Sequence, residues 1–260
     1  MHQMTNKYMY FIANWKMYGG LNSLNSLNKV IKFLKVFKKN NIVKIIYCPP
    51  NTLINSMTKK LKKTRILVGA QNCHENETFG PFTGYINSSM LKNAGAKFVI
   101  IGHSERRSLC HETSSIVSQK AVKAVSAGLK VIICIGENSK DREKGDYLFV
   151  LEDQLKQSLS DLSSDNNLLS NDIIIAYEPV WAIGTGNTAS KKDIEEVHKF
   201  IKEIISSNYQ FNYDLPILYG GSVNSKNSSE IFKINNVDGV LVGGASLNSD
   251  EFLKIINNSM

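Results

Sequence analysis

The chain has 260 residues, 42% of them hydrophobic and 21% charged, the proportions of a globular protein with one large core or two small ones. Its formal charge of +8 comes mostly from lysines in helix-like segments such as Lys29–Lys39 and Met57–Lys63, and the four arginines (Arg65, Arg106, Arg107, Arg142) lack the clustering and interleaved aromatics of a nucleic-acid protein. No run approaches the roughly 18 apolar residues of a membrane span, the first residues do not read as a signal peptide, and Cys48, Cys73, Cys110 and Cys134 show neither disulfide nor metal spacing; the expectation is a cytoplasmic protein with free thiols, no metal, and no nucleic-acid or membrane partner.

Along the chain, short runs rich in Ile, Val, Phe and Tyr recur and read as buried strands: Met9–Ala13, Ile42–Tyr47, Ile66–Gly69, Phe98–Ile101, Val131–Ile135, Ile173–Tyr177, Ile217–Tyr219 and Gly239–Val242. Helical patterns fill the intervals. Leu21, Leu24, Leu27, Ile31, Leu34 and Phe37 repeat every three or four residues, and Ser88–Ala94, Ser114–Ala127, Tyr147–Leu162 and Lys191–Ile205 behave likewise. Asn51 is expected to cap a helix through Leu61, Ser225 to open one through Ile234, and Asp250–Ile256 to form a short last helix, while the polar run Ser163–Asn171 reads as a loop. Eight strand–helix units in about 250 residues, with no linker and no GxGxxG after the first strand, predict a single-domain α/β chain, a closed parallel (β/α)8 barrel over residues 1–260.

In such a barrel, functional groups gather where strands hand over to loops at their carboxyl ends. Asn14 and Lys16 follow the first strand, Gln71-Asn72 the third, Gly102-His103-Ser104-Glu105 the fourth, Gly136-Glu137 the fifth, Glu178 the sixth, Gly220-Gly221-Ser222 the seventh and Gly243-Gly244 the eighth. Pro179 holds Glu178 toward extended backbone, and the stretch after it, with Trp181 and Ile183 between glycines, reads either as a closing lid or as a surface loop. Backbone N–H groups at Gly184, Gly220, Gly221, Gly243 and Gly244, with the Ser222 hydroxyl and a short helical turn after Gly244, suit a phosphate dianion; tight-turn glycine is the alternative. Lys16 is either a substrate-neutralising cation or a rim lysine, and His103 either a functional or a structural histidine. His2, His74, His111 and His198 read as terminal, loop or helix-surface residues, and Cys134 as a packing residue rather than a nucleophile.

FIANWKM, AQNC, FTG, GHSERR, ICIGE, AYEPVWAIGTG, YGGSV and DGVLVGGASL stand in order, one after nearly every strand, and through them the chain from Tyr10 to Ile256 resembles the triosephosphate isomerases. The resemblance implies a TIM barrel that interconverts D-glyceraldehyde 3-phosphate and dihydroxyacetone phosphate through an enediol(ate), a step of glycolysis and gluconeogenesis that needs no cofactor. By the same resemblance Glu178 is the general base, His103 a neutral imidazole that polarises the carbonyl, and Lys16 and Asn14 donors to the developing oxyanion. Glu105, Ser104 and Cys134 stand behind these groups; Gly184, Ser222, Gly243 and Gly244 match phosphate-binding positions. Pro179, Val180, Trp181, Ala182, Ile183, Gly184, Thr185, Gly186, Asn187, Thr188 and Ala189 form the lid that excludes water.

A homodimer is also implied, with Thr83 of the loop 72–84 reaching Asn14 of the partner and Arg106 at the interface. Three positions depart from the family pattern. Asn187 stands where lysine is common in the lid, Tyr18 where asparagine is common, and Tyr85 where a glutamate usually pairs with the arginine matched by Arg106. Other phosphate-binding barrel isomerases share the late glycines but do not require Asn14, Lys16, His103 and Glu178 together. A catalytically silent barrel would have lost one of these four.

Overall fold

The computed structural model describes residues 8–37, 42–76, 78–163, 172–183, 188–209, 211 and 214–259. Eight parallel strands, β1 (Met9–Asn14), β2 (Val43–Cys48), β3 (Leu67–Ala70), β4 (Phe98–Ile101), β5 (Lys130–Ile135), β6 (Ile173–Tyr177), β7 (Ile217–Tyr219) and β8 (Gly239–Val242), close in sequence order into a barrel. Closure joins β8 to β1, with Gly239 opposite Tyr10. A Cβ at Gly239 would stand 2.2 Å from the Tyr10 carbonyl oxygen, and its φ of +153° adds strain for any other residue, so the seam requires glycine there.

Alternation along each strand builds two cores. Ile12, Ile46, Ile100, Ile132, Cys134 and Leu218 point inward and fill the barrel, whereas Phe11, Tyr47, Val99, Ile133, Ile175 and Tyr219 point outward against the helices. The helices are α1 (Leu27–Val36), α2 (Ile54–Leu61), α3 (Ser88–Ala94), α4 (Ser104–Leu109), α5 (Ser114–Ser126), α6 (Ser139–Lys144), α7 (Tyr147–Ser163), α8 (Lys191–Asn208), α9 (Ser228–Ile231) and α10 (Ser249–Asn257). Their starts are held by side-chain caps where the sequence supplies them. Ser190 and Asp193 form a reciprocal capping box on α8, and Asn138 and Asp141 form another on α6.

Some expectations are corrected. Asn51 does not cap a helix: Pro50 precedes a 3-10 turn that begins at Asn51, and α2 starts only at Ile54. The helix expected from Ser225 shrinks to α9, because Asn224 Oδ1 accepts from the backbone N–H groups of Lys226 and Asn227 and turns the chain there instead. Except for Ser163, which ends α7, the expected loop Ser163–Asn171 lies outside the described residues.

His198 is not a helix-surface residue. It is fully buried on the inner face of α8, its ring edge-on to Tyr177 and its Nδ1 2.8 Å from the Asn236 carbonyl oxygen. Burial pushes its pKa down to about 4. The unfolded chain therefore takes up a proton below about 6.5 that the folded chain refuses until about 4, so the stability His198 contributes above pH 6.5 is lost as pH falls through that window. Urea unfolding at pH 5 is expected to give a stability about 2 kcal/mol below that at pH 7.5 from this group, and His198→Gln to remove that part of the slope.

Candidate active site

The mouth of the barrel holds a cavity of about 300 Å³ lined by Asn14, Lys16, His103, Glu178, Ser222 and Gly243, with Ile183, Gly220, Gly221, Val223, Asn224, Leu241, Gly244 and Ala245 completing the wall. The ends of β1, β4 and β6 and the loops after β7 and β8 thus bring into one space most of the groups singled out in the sequence. Gly184, Thr185, Gly186 and Asn187 lie outside the described residues.

Glu178 begins where β6 ends. Its backbone N–H is held by Ile135 at 2.8 Å, and the residue is only 2% exposed. Glycines make room for it: a Cβ on Gly136 would lie 1.8 Å from the Glu178 carbonyl oxygen, and one on Gly220 2.9 Å from its Cγ. Gly220, expected to cradle phosphate, also clears the space the carboxylate occupies. Oε2 accepts the Ser104 N–H at 3.0 Å, Oε1 lies 3.0 Å from His103 Nε2, and the buried Cys134 thiol bonds the same carboxylate. Burial works against the charge, but His103, the Ser104 N–H and Cys134 together outweigh it and lower the Glu178 pKa. The carboxylate is ionised and shielded. Cys134 itself is pushed well up by burial, and the Glu178 charge raises it further, as befits a packed thiol rather than a nucleophile.

His103 caps α4, with Nδ1 accepting the Glu105 N–H at 3.2 Å. An acceptor at Nδ1 needs a lone pair, so the proton sits on Nε2 and points toward Glu178. Burial disfavours a charged ring; the facing carboxylate outweighs burial and raises the pKa, with Glu105 adding to it and Lys16 subtracting. The two influences conflict only while Glu178 and His103 touch. A ligand between them removes the Glu178 support and leaves burial, Lys16 and the N–H at Nδ1 favouring the neutral ring, with Glu105 opposing them.

Lys16 has a left-handed backbone, φ 52°, which costs a residue with a Cβ roughly 1–2 kcal/mol. Its N–H donates to Asn14 Oδ1 at 3.0 Å, and the Gln71 amide donates to both the Lys16 and Cys48 carbonyls at 2.8 Å. Glu105 holds the Lys16 ammonium at 2.7 Å. Gln71 stood at a strand end in the sequence, yet nothing local indicated that its amide would tie the loop after β1.

The described part of the expected lid is anchored before the glycines. Trp181 Nε1 donates to Glu137 at 2.8 Å, and the Tyr177 hydroxyl donates to the same oxygen at 3.1 Å. Arg142 stacks on Tyr147 and ion-pairs with Asp193. Pro179, Val180, Ala182 and Ile183 form a 3-10 turn and its flanks, while Thr188 and Ala189 lead into α8. The turn after Gly244 forms as expected, spanning Gly244–Leu247, and nothing lies within 4 Å of a Cβ built on Gly244.

Thr83 lies exposed in the loop 72–84 and so does not line the cavity within one chain. Arg106 pairs inside its own chain, with Glu112 at 2.7 Å, and Glu112 also holds the buried Lys120 at 2.6 Å. Tyr85 packs edge-on to His74, with ring centroids 4.5 Å apart.

A family model described as triosephosphate isomerase matches residues 9–259. Among curated relatives, the triosephosphate isomerase of Lawsonia intracellularis is 45% identical over 214 residues, 82% of this chain and 83% of its own. That of Bartonella tribocorum is 42% identical over 247 residues, 95% of this chain and 94% of its own. The crystal structure of triosephosphate isomerase from Bartonella henselae superposes with a TM-score of 0.86 at 38% identity, covering 96% of this chain and 98% of that one. A closed barrel with this mouth, matched almost end to end in both sequence and structure, belongs to the triosephosphate isomerase family.

Proposed function

We propose that this chain interconverts D-glyceraldehyde 3-phosphate and dihydroxyacetone phosphate in the cytoplasm, with Glu178 as the base. The observation that carries the assignment is a buried, ionised carboxylate 3.0 Å from the His103 Nε2 in the wall of a cavity that also holds an ammonium. Glu178 removes a proton from the carbon beside the carbonyl and returns it to the neighbouring carbon. His103 donates from Nε2 to the oxygens on which charge develops, and Lys16 with Asn14 stabilises that charge in place, where preorganised donors count most. Ser222, Gly243 and Gly244 flank the space a phosphate would fill, and the lid Pro179–Ala189 closes over it to keep water from the enediolate. The chemistry is proton transfer within one molecule and calls for no cofactor or metal.

The test is turnover of D-glyceraldehyde 3-phosphate coupled to NADH oxidation through a dihydroxyacetone phosphate reductase. Turnover is expected. Its absence in folded protein would reject the assignment.

The enzyme acts as a homodimer in this proposal. Exposed Met17, Tyr18, Phe79, Phe82, Tyr85 and Leu109 give the loops after β1 and β3, and the end of α4, an apolar surface that a second copy would cover. Tyr85 brings aromatic area, not an ion pair, to that contact, and Arg106 already has its carboxylate. Light scattering at micromolar protein is expected to give twice the 29.1 kDa chain mass, with little dependence on salt; a single species at the chain mass would contradict the dimer.

A further inference from the structure

The net charge is not spread over the molecule. Residues 1–74 contain twelve lysines and one arginine and no aspartate or glutamate, a charge of +13; the remaining 186 residues hold 18 basic and 23 acidic groups, a charge of −5, and the two sum to the total of +8. Lysine-rich composition alone would not empty one quarter of the barrel of every acid. The segregated segment spans β1, α1, β2, α2 and β3, adjacent around the barrel.

The fold then concentrates this charge at one end. Helices of a (β/α)8 barrel run back against the strands, so the last turns of α1 and α2 lie at the amino-terminal ends of the strands, opposite the mouth. There Lys35, Lys59, Lys62 and Lys63 are exposed and Lys60 is half-exposed, and none of the five has a carboxylate partner among the described residues. On the same rim, at the end of α1 and the start of β2, Val36 is 78% and Ile42 44% exposed.

We propose that this rim is a docking face for an anionic lipid surface, on which the enzyme sits with its mouth and lid turned away. Lysines are hydrated point charges that suit a diffuse layer of phosphate and carboxylate headgroups, whereas arginine forks would be expected for specific phosphate contacts. The apolar side chains among them are aliphatic and suited to shallow insertion between headgroups. Base stacking would call for aromatic rings, and Phe79, Phe82 and Tyr85 lie at the opposite end of the barrel, in the loop after β3. No helix among the described residues is long and apolar enough to cross a membrane, so the association is peripheral. The apolar surface assigned to the dimer is at the mouth end and leaves the rim open.

Co-sedimentation of the full-length enzyme with phosphatidylserine–phosphatidylcholine vesicles, with pure phosphatidylcholine as control, tests this at low ionic strength. Binding to the anionic vesicles alone is expected. The triple variant Lys59→Glu, Lys60→Glu, Lys63→Glu should weaken it by more than roughly 100-fold, at about fivefold for each lysine lost, with kcat/KM unchanged. Lys144→Glu, Lys156→Glu, Lys199→Glu makes the same change in net charge on the other side and should keep most of the binding. Should the first triple variant misfold, glutamine at its three positions, expected to cost roughly 100-fold, decides the matter. No binding by the wild type, equal loss in both triple variants, or efficient displacement from vesicles by single-stranded RNA would overturn the proposal.

Discussion

Glu178→Gln is expected to lower kcat by roughly 100- to 10,000-fold, the range associated with loss of a positioned general base. The amide is nearly the same size as the carboxylate, and its oxygen can still accept the Ser104 N–H that lies 3.0 Å from Oε2. It cannot take a proton. The fold should survive, because the change removes a buried charge without opening a cavity. Glu178→Asp separates charge from position: it keeps the base but withdraws it by about one methylene, and a misplacement near 1 Å costs on the order of 100-fold. Steady-state kinetics on both variants check the pair, and near-normal turnover in either would remove Glu178 from the role of base.

Lys16→Ala is expected to lower kcat by roughly 100- to 1,000-fold, as loss of one preorganised donor to a developing oxyanion does, and to raise KM for a dianionic substrate as well. Stability provides an independent reading at the same position. The left-handed backbone at φ 52° is strained by the Cβ, which alanine retains and glycine lacks. Lys16→Gly should therefore unfold about 1 kcal/mol later than Lys16→Ala while losing as much activity. Equal affinity and turnover in wild type and Lys16→Ala would deny the ammonium its part in charge stabilisation.

The strands were legible in the sequence almost to the residue. Phe98–Ile101, Ile173–Tyr177, Ile217–Tyr219 and Gly239–Val242 fall where the apolar runs place them, because parallel strands buried on both faces leave an unbroken signal. The six-residue helices α4 and α6 were not legible. SERRSL has no apolar stripe; its start is capped by His103, and Arg107 ties it to the Gly102 and Cys134 carbonyls, all contacts that exist only once the barrel has formed. His198 was misread although the signal was present, since it stands four residues after Ile194 and three before Ile201 on the buried stripe of α8.

The site was legible in its main parts because a closed barrel sends every strand end to the same mouth. What escaped was long-range: the Gln71 amide bracing Lys16, Arg142 between α7 and α8, and the space that Gly136 and Gly220 leave around Glu178. Arg106 is the clearest case. The resemblance implies a place for it at an interface, and nothing in the sequence indicated that a carboxylate six residues on, Glu112, also binds it within its own chain.

The most direct test of the account is to run the isomerisation of D-glyceraldehyde 3-phosphate in deuterium oxide and follow the product by proton NMR. A proton carried by Glu178 exchanges with solvent while the enediolate waits, so dihydroxyacetone phosphate should form rapidly with deuterium at the reacting carbon, and Glu178→Gln should abolish both formation and label. Labelled product formed by Glu178→Gln at the wild-type rate, or no product from folded wild-type enzyme, would contradict a base at Glu178.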